Sequence, residues 1–212
     1  MKLLVATRSR HKMKEIRQIL ADVPGLTVLD LDEAGIAEDP VEDDLEVFDT
    51  FAENALAKAR HFREIAGIPT VADDSGIEID ALGGRPGVRS KRFAPDTGLE
   101  GQARDDANNR YMLEQLAGVE PDARTARYVC VAALLVGDDS DPVYCRGEAP
   151  GVIVETPRGS GGFGYDPHVL DTELGITFAE MSPEQKNARS HRGAAFRKLA
   201  NALREAGVGS RT

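Results

Sequence analysis

Residues 2–7 (KLLVAT) are apolar almost throughout, as in a strand buried on both faces, and after a polar stretch Met13, Ile16, Leu20 and Val23 recur at helical spacing over 12–23. The chain thus opens as strand, polar loop and helix. A second helix is announced by Thr50 and Glu53 in TFAE, a capping-box pattern, and ends near Gly67. The apolar run 68–72 predicts a strand ending in the acidic turn Asp73-Asp74-Ser75-Gly76. The glycines and proline of LGGRPG (82–87) predict an irregular loop. A helix follows near 104–117, stopped by Gly118. Strands are expected at 127–136, 143–148 and 151–155, the first two joined by the turn-like GDDSDP, and then comes the glycine-rich loop GSGGFGYDP. Ser182 with Pro183 and Gln185 caps a short helix, and residues 191–204 carry Phe196, Leu199, Ala200 and Leu203 on one face.

Helices and strands alternate early and hairpins come late. This order predicts an α/β fold with a mixed sheet flanked by helices. The 212 residues show no repeat, low-complexity tract or linker-like shift in composition, so the chain reads as a single domain spanning 1–212.

Charge narrows the function. With 36 acidic against 26 basic residues, a formal net charge of −10, the chain lacks the basic surface needed to follow a nucleic-acid backbone. Phosphate binding would have to be local. The apolar run at the N-terminus is too short for a signal peptide and no stretch could span a bilayer, so the expectation is a soluble, cytoplasmic protein without membrane or nucleic-acid partners. In a symmetric hairpin Cys145 would face Leu134, roughly 13 Å along the strand from Cys130. No disulfide closes that gap, and both thiols read as small buried apolar groups.

Three stretches suggest chemistry. In TRSRHK (7–12) the hydroxyls of Thr7 and Ser9, the basic Arg8, Arg10 and Lys12, and His11 meet the start of a helix, where unpaired N–H groups and the helix dipole favour an anion. Asp73 and Asp74 are adjacent carboxylates, explained by a cation or a proton-transfer task or, more plainly, by a polar turn. Phe163 and Tyr165 among glycines, beside the acceptor Asp166, suit a flat heterocycle. The string Gly159, Gly161, Gly164 fits G-x-G-x-x-G, but Tyr165-Asp166-Pro167 stand where a dinucleotide-binding helix would open, and no P-loop string occurs. In KNARSHRG, Lys186, Ser190, His191 and Arg192 offer mainly donors, matching a purine with acceptors at O6 and N7.

In order along the chain, TRSRHK, FAENALAKA, ADDSG, LGGRPGVRSKRFA, GGFGYDP and QKNARSHR resemble the inosine triphosphate pyrophosphatase family, also described as dITP/XTP pyrophosphatases. The resemblance implies Mg²⁺-dependent hydrolysis of noncanonical purine nucleoside triphosphates (ITP, dITP, XTP) to the monophosphate and pyrophosphate. It further implies an elongated mixed sheet in two lobes with the site in their cleft, and a homodimer. It makes Asp74 the catalytic carboxylate and a metal ligand, with Asp73 in support, Ser75 touching substrate and Glu46 the second metal carboxylate. Thr7, Ser9, Lys12 and Lys58 would hold the triphosphate, and Arg8, Arg10 and His11 of the same loop are further candidate substrate contacts, with the role of Arg8 left open. Phe163, Gly164, Tyr165, Asp166, Lys186, His191 and Arg192 would surround the base.

The chain departs from the family's usual T-G-N at the phosphate loop: here it is T-R-S, with Arg8 for a glycine and Ser9 for a longer amide. Asp43 is an alternative to Glu46. Two other readings of the same motifs are a Maf-type pyrophosphatase acting on dTTP, UTP or modified nucleotides, and a nucleotide sensor without turnover.

Overall fold

The computed structural model describes residues 1–95, 98–137 and 140–206, without the side chain of Asp43. The chain begins with strand β1 (Lys2–Val5), helix α1 (Arg10–Leu20), strand β2 (Thr27–Leu29), helix α2 (Phe51–Ala66), strand β3 (Thr70–Ile79), strand β4 (Pro86–Gly87) and helix α3 (Gly101–Gln115). It continues with β5 (Thr125–Leu135), β6 (Val143–Ile153), β7 (Val169–Asp171), β8 (Ile176–Thr177), α4 (Pro183–Arg189) and α5 (His191–Glu205). The strands form a mixed sheet, as expected: β1 runs parallel to β2 and β3, whereas β4 pairs antiparallel with β3, and β7 with β6 and β8.

Two compact units divide the chain, one comprising residues 1–74, 130–147 and 191–212, the other 75–129 and 148–190. In the first, period-two alternation sends side chains to opposite faces of the strands. Leu3, Val5 and Val71 pack with Met13, Ile16 and Leu20 of α1 and Ala195, Phe196, Leu199 and Leu203 of α5. Leu4, Ala6 and Ala72 turn the other way, onto Ala59 and Phe62 of α2. Each strand is therefore apolar at successive positions, which is why residues 2–7 read as one unbroken run. α5 approaches β6 so closely that a Cβ on Gly147 would lie 2.1 Å from the His191 carbonyl oxygen.

The second unit has its own core, in which Ile77 and Ile79 meet Met112 of α3 and Leu116 at its C-terminal cap, with Tyr128, Ile153, Tyr165, Val169 and Phe178. Tyr128 and Phe178 contact edge to face with centroids 5.2 Å apart.

Three expectations are corrected. β3 does not stop at Ala72 but carries Asp73, Asp74, Ser75 and Gly76 inside the strand, so the acidic pair is no turn. Residues 143–148 and 151–155 are not two strands: β6 runs unbroken through Pro150, which keeps its place in a regular buried and exposed alternation and is not among the residues paired with β7, Val152 and Ile153. LGGRPG contains β4, which pairs Gly87 with Ile77 and Pro86 with Glu78. Cys130 and Cys145 are free and buried, while Asp138 and Asp139 of the turn between their strands lie outside the described residues.

Candidate active site

Asp73 and Asp74 are successive residues of one strand, so their carboxylates leave β3 on opposite faces. Asp73, 2 % exposed, follows Val71 toward α1 and α5. Its Oδ2 accepts from the Lys12 ammonium at 2.9 Å, lies 3.5 Å from Arg192 Nε, and receives the Cys130 thiol at 3.7 Å. Burial alone would raise its proton affinity, but Lys12, Arg192 and Lys58 outweigh that and hold it well below the usual carboxylate range. Asp74 follows Ala72 toward α2 and accepts from the Asn54 amide at 3.0 Å. Burial lifts its pKa; Lys58 opposes this, the Glu46 charge adds to it, and the net shift is upward. The repulsion expected of adjacent acids is thus divided between two environments.

Lys58 ties that second face together. Its ammonium donates to Glu46 Oε1 at 2.5 Å and to the Asp73 carbonyl at 2.5 Å, and these acids, with Asp74, keep it protonated despite burial. Asn54 and Lys58 are one turn apart on α2, so they share a face. No group of three or more acidic, histidine or cysteine side chains arranged to hold a metal occurs among the described residues. Asp43, the alternative ligand, has its side chain outside them.

At the start of α1, the Ser9 hydroxyl caps the helix by accepting from the Lys12 N–H, and the Thr7 hydroxyl accepts from the Ser9 N–H. Arg10 and His11 are exposed in the first turn, which carries no acidic residue. The unit thus keeps an electropositive helix start beside the acidic strand. Arg8, whose role the sequence leaves open, is engaged within its own unit. Its guanidinium grips Glu42 through Nε (3.0 Å) and Nη2 (2.6 Å), and donates to the carbonyls of Ile36 (3.0 Å) and Ala37 (2.8 Å). These four bonds all serve the stretch from Ile36 to Glu42 that leads to Glu46.

The residues read as a base pocket divide between the units. Phe163, Gly164, Tyr165, Asp166 and Lys186 belong to the second, together with Ser75, which is half-buried in β3. Phe163 is 61 % exposed and the Lys186 ammonium lies 5.4 Å from its ring centroid, a cation–π contact. Asp166 is buried, accepting from Tyr128 Oη at 2.9 Å, the Phe163 N–H at 3.0 Å and Lys186 at 2.5 Å. Tyr165 is not presented to a ligand: its ring is in the core and its hydroxyl donates to the Ser90 carbonyl at 2.7 Å. His191 and Arg192 belong to the first unit. Arg192 is buried against Glu15 (3.1 Å) and Asp73, so its charge serves the acidic strand, contrary to the expected role at the base.

Several participants were not singled out from sequence. Asn54 had a legible signal, a polar residue on the α2 face otherwise buried through Phe51, Ala55, Ala59 and Phe62. Glu15 and Tyr128 had none, because their partners Arg192 and Asp166 lie far along the chain.

A family model described as the Ham1 family matches residues 3–202. The chain is 47 % identical over 204 residues to a dITP/XTP pyrophosphatase of Mycolicibacterium paratuberculosis, covering 95 % of both chains. It is 42 % identical over 204 residues to one of Shigella flexneri, covering 96 % of this chain and 98 % of that one. Among solved structures, it resembles a Ham1 protein of Coxiella burnetii with TM-score 0.84 and 35 % identity, covering 97 % of this chain and 99 % of that one. It also resembles a nucleoside-triphosphatase / dITP/XTP pyrophosphatase of Mycobacterium abscessus with TM-score 0.73 and 37 % identity, covering 96 % and 99 %.

Proposed function

The chain belongs to the Ham1 family, and we propose that it hydrolyses noncanonical purine nucleoside triphosphates (ITP, dITP and XTP) to the monophosphate and pyrophosphate. The observation that carries this reading is the split acidic pair: one carboxylate neutralised by Lys12 and Arg192, the other gathered with Glu46 and Lys58. A sensor that only binds nucleotide gains little from metal-holding acids beside a phosphate site.

In this reading Lys12, Lys58 and the start of α1 bind the triphosphate, bringing cations and N–H donors to its oxygens. Asp73 is consumed by its partners and acts by holding Lys12 in place. Asp74 is the carboxylate that orients the attacking water toward the α-phosphorus and receives its proton as the bond to the leaving pyrophosphate breaks. Phe163 stacks on the base, with Lys186 at its edge.

Mg²⁺ fits this donor set. A small hard cation keeps several waters and is held by one or two carboxylates plus substrate phosphates, so Glu46 and Asp74 suffice without a third protein ligand. When bound it would neutralise charge on the transferring phosphoryl group. Burial is the main cause of the upward shift of Asp74, with Lys58 opposing it and Glu46 adding to it, and a cation held by both acids would favour their charged forms.

A nucleotide substrate goes with the family, and among the described residues no helix is long and apolar enough to cross a membrane. A homodimer in the cytoplasm completes the reading. The test is pyrophosphate release, distinguished from release of single phosphate, from dITP, XTP, dGTP, dATP and dTTP with and without Mg²⁺. Metal-dependent pyrophosphate from dITP and XTP supports it. Turnover confined to dTTP, or no turnover, overturns it.

A further inference from the structure

Phe163 is the most exposed aromatic side chain of the second unit, yet its backbone is fully engaged. Its N–H donates to Asp166 Oδ2 at 3.0 Å and its carbonyl accepts from the Asp166 N–H at 3.3 Å. The next residue is gripped on both sides by α3: the Gly164 N–H donates to Asp105 Oδ2 at 2.9 Å, and its carbonyl accepts from Asn109 Nδ2 at 2.9 Å. Asp105 and Asn109 are four apart and so share a helix face. Gly164 has φ +62°, where glycine is favoured, so the loop takes up this geometry without strain.

The Asn109 amide also has a cost. Its Oδ1 is buried with no hydrogen-bond partner among the described residues. A buried acceptor left unmatched is unfavourable, so stability alone would favour an apolar side chain of similar shape. What the amide provides is its single bond to the loop.

We propose that Asp105 and Asn109 are positioning residues for the purine: by gripping Gly164 they hold the Phe163 ring as a rigid stacking surface, reducing the ordering cost of binding. This rests on the reading of Phe163 as the base platform. Neither residue touches the base; both act through the loop.

The test is KM and kcat for dITP in a set of variants, with thermal unfolding alongside. Phe163→Ala is expected to raise KM roughly 5- to 50-fold, the scale of one lost base stack. Asp105→Ala and Asn109→Leu are each expected to raise KM about 5-fold with kcat within about 2-fold, a fraction of that stack. Asp105→Asn should recover most of the loss, since its amide oxygen still accepts from Gly164. Asn109→Leu removes an unmatched acceptor together with the donor to the Gly164 carbonyl, two opposing effects, so the unfolding temperature should change little while KM rises, which a merely structural role does not predict. The double variant Phe163→Ala/Asn109→Leu should be no worse than Phe163→Ala alone.

Unchanged KM in Asp105→Ala and Asn109→Leu, with a raised KM in Phe163→Ala, overturns the inference and leaves the platform standing. Unchanged KM in Phe163→Ala overturns the platform and the inference with it. Multiplying losses in the double variant show that Asn109 acts elsewhere and also overturn it. The Asp105 pair decides the matter if Asn109→Leu fails to fold.

Discussion

Lys12 and Asp73 are 61 residues apart in the chain, yet the ammonium lies 2.9 Å from the carboxylate, whose side chain is 2 % exposed. Asp73→Asn removes the anion and leaves Lys12 and Arg192 facing each other. Breaking a buried pair from one side costs about 3–5 kcal/mol, a fall in unfolding temperature on the order of 10 °C for a chain of this size. Asp74→Asn is expected to behave in the opposite way. Its amide can still pair with Asn54, and burial already disfavours the charge, so the unfolding temperature should hold or rise while pyrophosphate release falls about 10²- to 10⁴-fold. Calorimetry and turnover on the two variants separate the roles. Equal stability losses would show that the acids are not divided as described.

Arg8 is the second case. Since its guanidinium secures the stretch from Ile36 to Glu42, Arg8→Ala should loosen the approach to Glu46 without touching Glu46 itself. The Mg²⁺ concentration giving half-maximal rate is expected to rise about 10-fold, as when outer partners of metal carboxylates are lost, with kcat at saturating metal little changed. A metal titration checks this. An unchanged midpoint would mean that Lys58 alone sets Glu46.

Gly162 has φ +76°, and a Cβ there would lie 2.1 Å from Asp166 Oδ2 and 2.8 Å from the Lys186 ammonium. Gly162→Ala combines a left-handed conformation, costing about 1–2 kcal/mol, with displacement of that ion pair. We expect lower stability and a raised KM for dITP; an unchanged KM would show that the pair does not help hold Phe163.

Asp171 accepts two bonds from Arg189, at 2.7 and 3.0 Å, and two from the backbone N–H groups of Glu173 and Leu174. Burial works against its charge, but these donors prevail and its folded pKa is depressed. A depressed carboxylate stabilises the fold above its unfolded pKa of about 3.9 and loses that contribution as pH falls through the folded value. The unfolding-temperature gap between the wild type and Asp171→Asn should therefore be full at pH 6–7 and narrow below about pH 4. A gap constant down to pH 2 would refute the pairing as its source.

Legibility in the sequence followed the range of the forces. Helix caps at Ser182 and Thr50 and the apolar stripe of α5 were readable because their partners are within a turn or two. The continuation of β3 through Asp73 and Asp74 was not, since local turn chemistry favours a break and only distant partners, Lys12 on one side and Asn54 on the other, stabilise charged residues within a strand. The partial displacement of Arg192 from its expected role has the same origin: SHR looks like a donor cluster in sequence, and nothing local reveals that Glu15 and Asp73 already claim the guanidinium. Arg8 could be flagged as a departure but not explained, because Glu42 is 34 residues away.

The alternation of β3 has a last consequence. Two identical neighbours suggest redundancy, a spare acid in case one is lost, but a strand cannot exchange the sides to which they point. Neither aspartate can stand in for the other, and a one-residue insertion or deletion between β1 and Asp73 that shifted the register would turn each acid to the opposite face without altering the ADDSG string. The motif can therefore survive intact in a chain that has lost its activity, and it is the register of β3, Leu4 with Thr70 and Val5 with Val71 on β1 and Ile77 with Gly87 on β4, that tells the two apart.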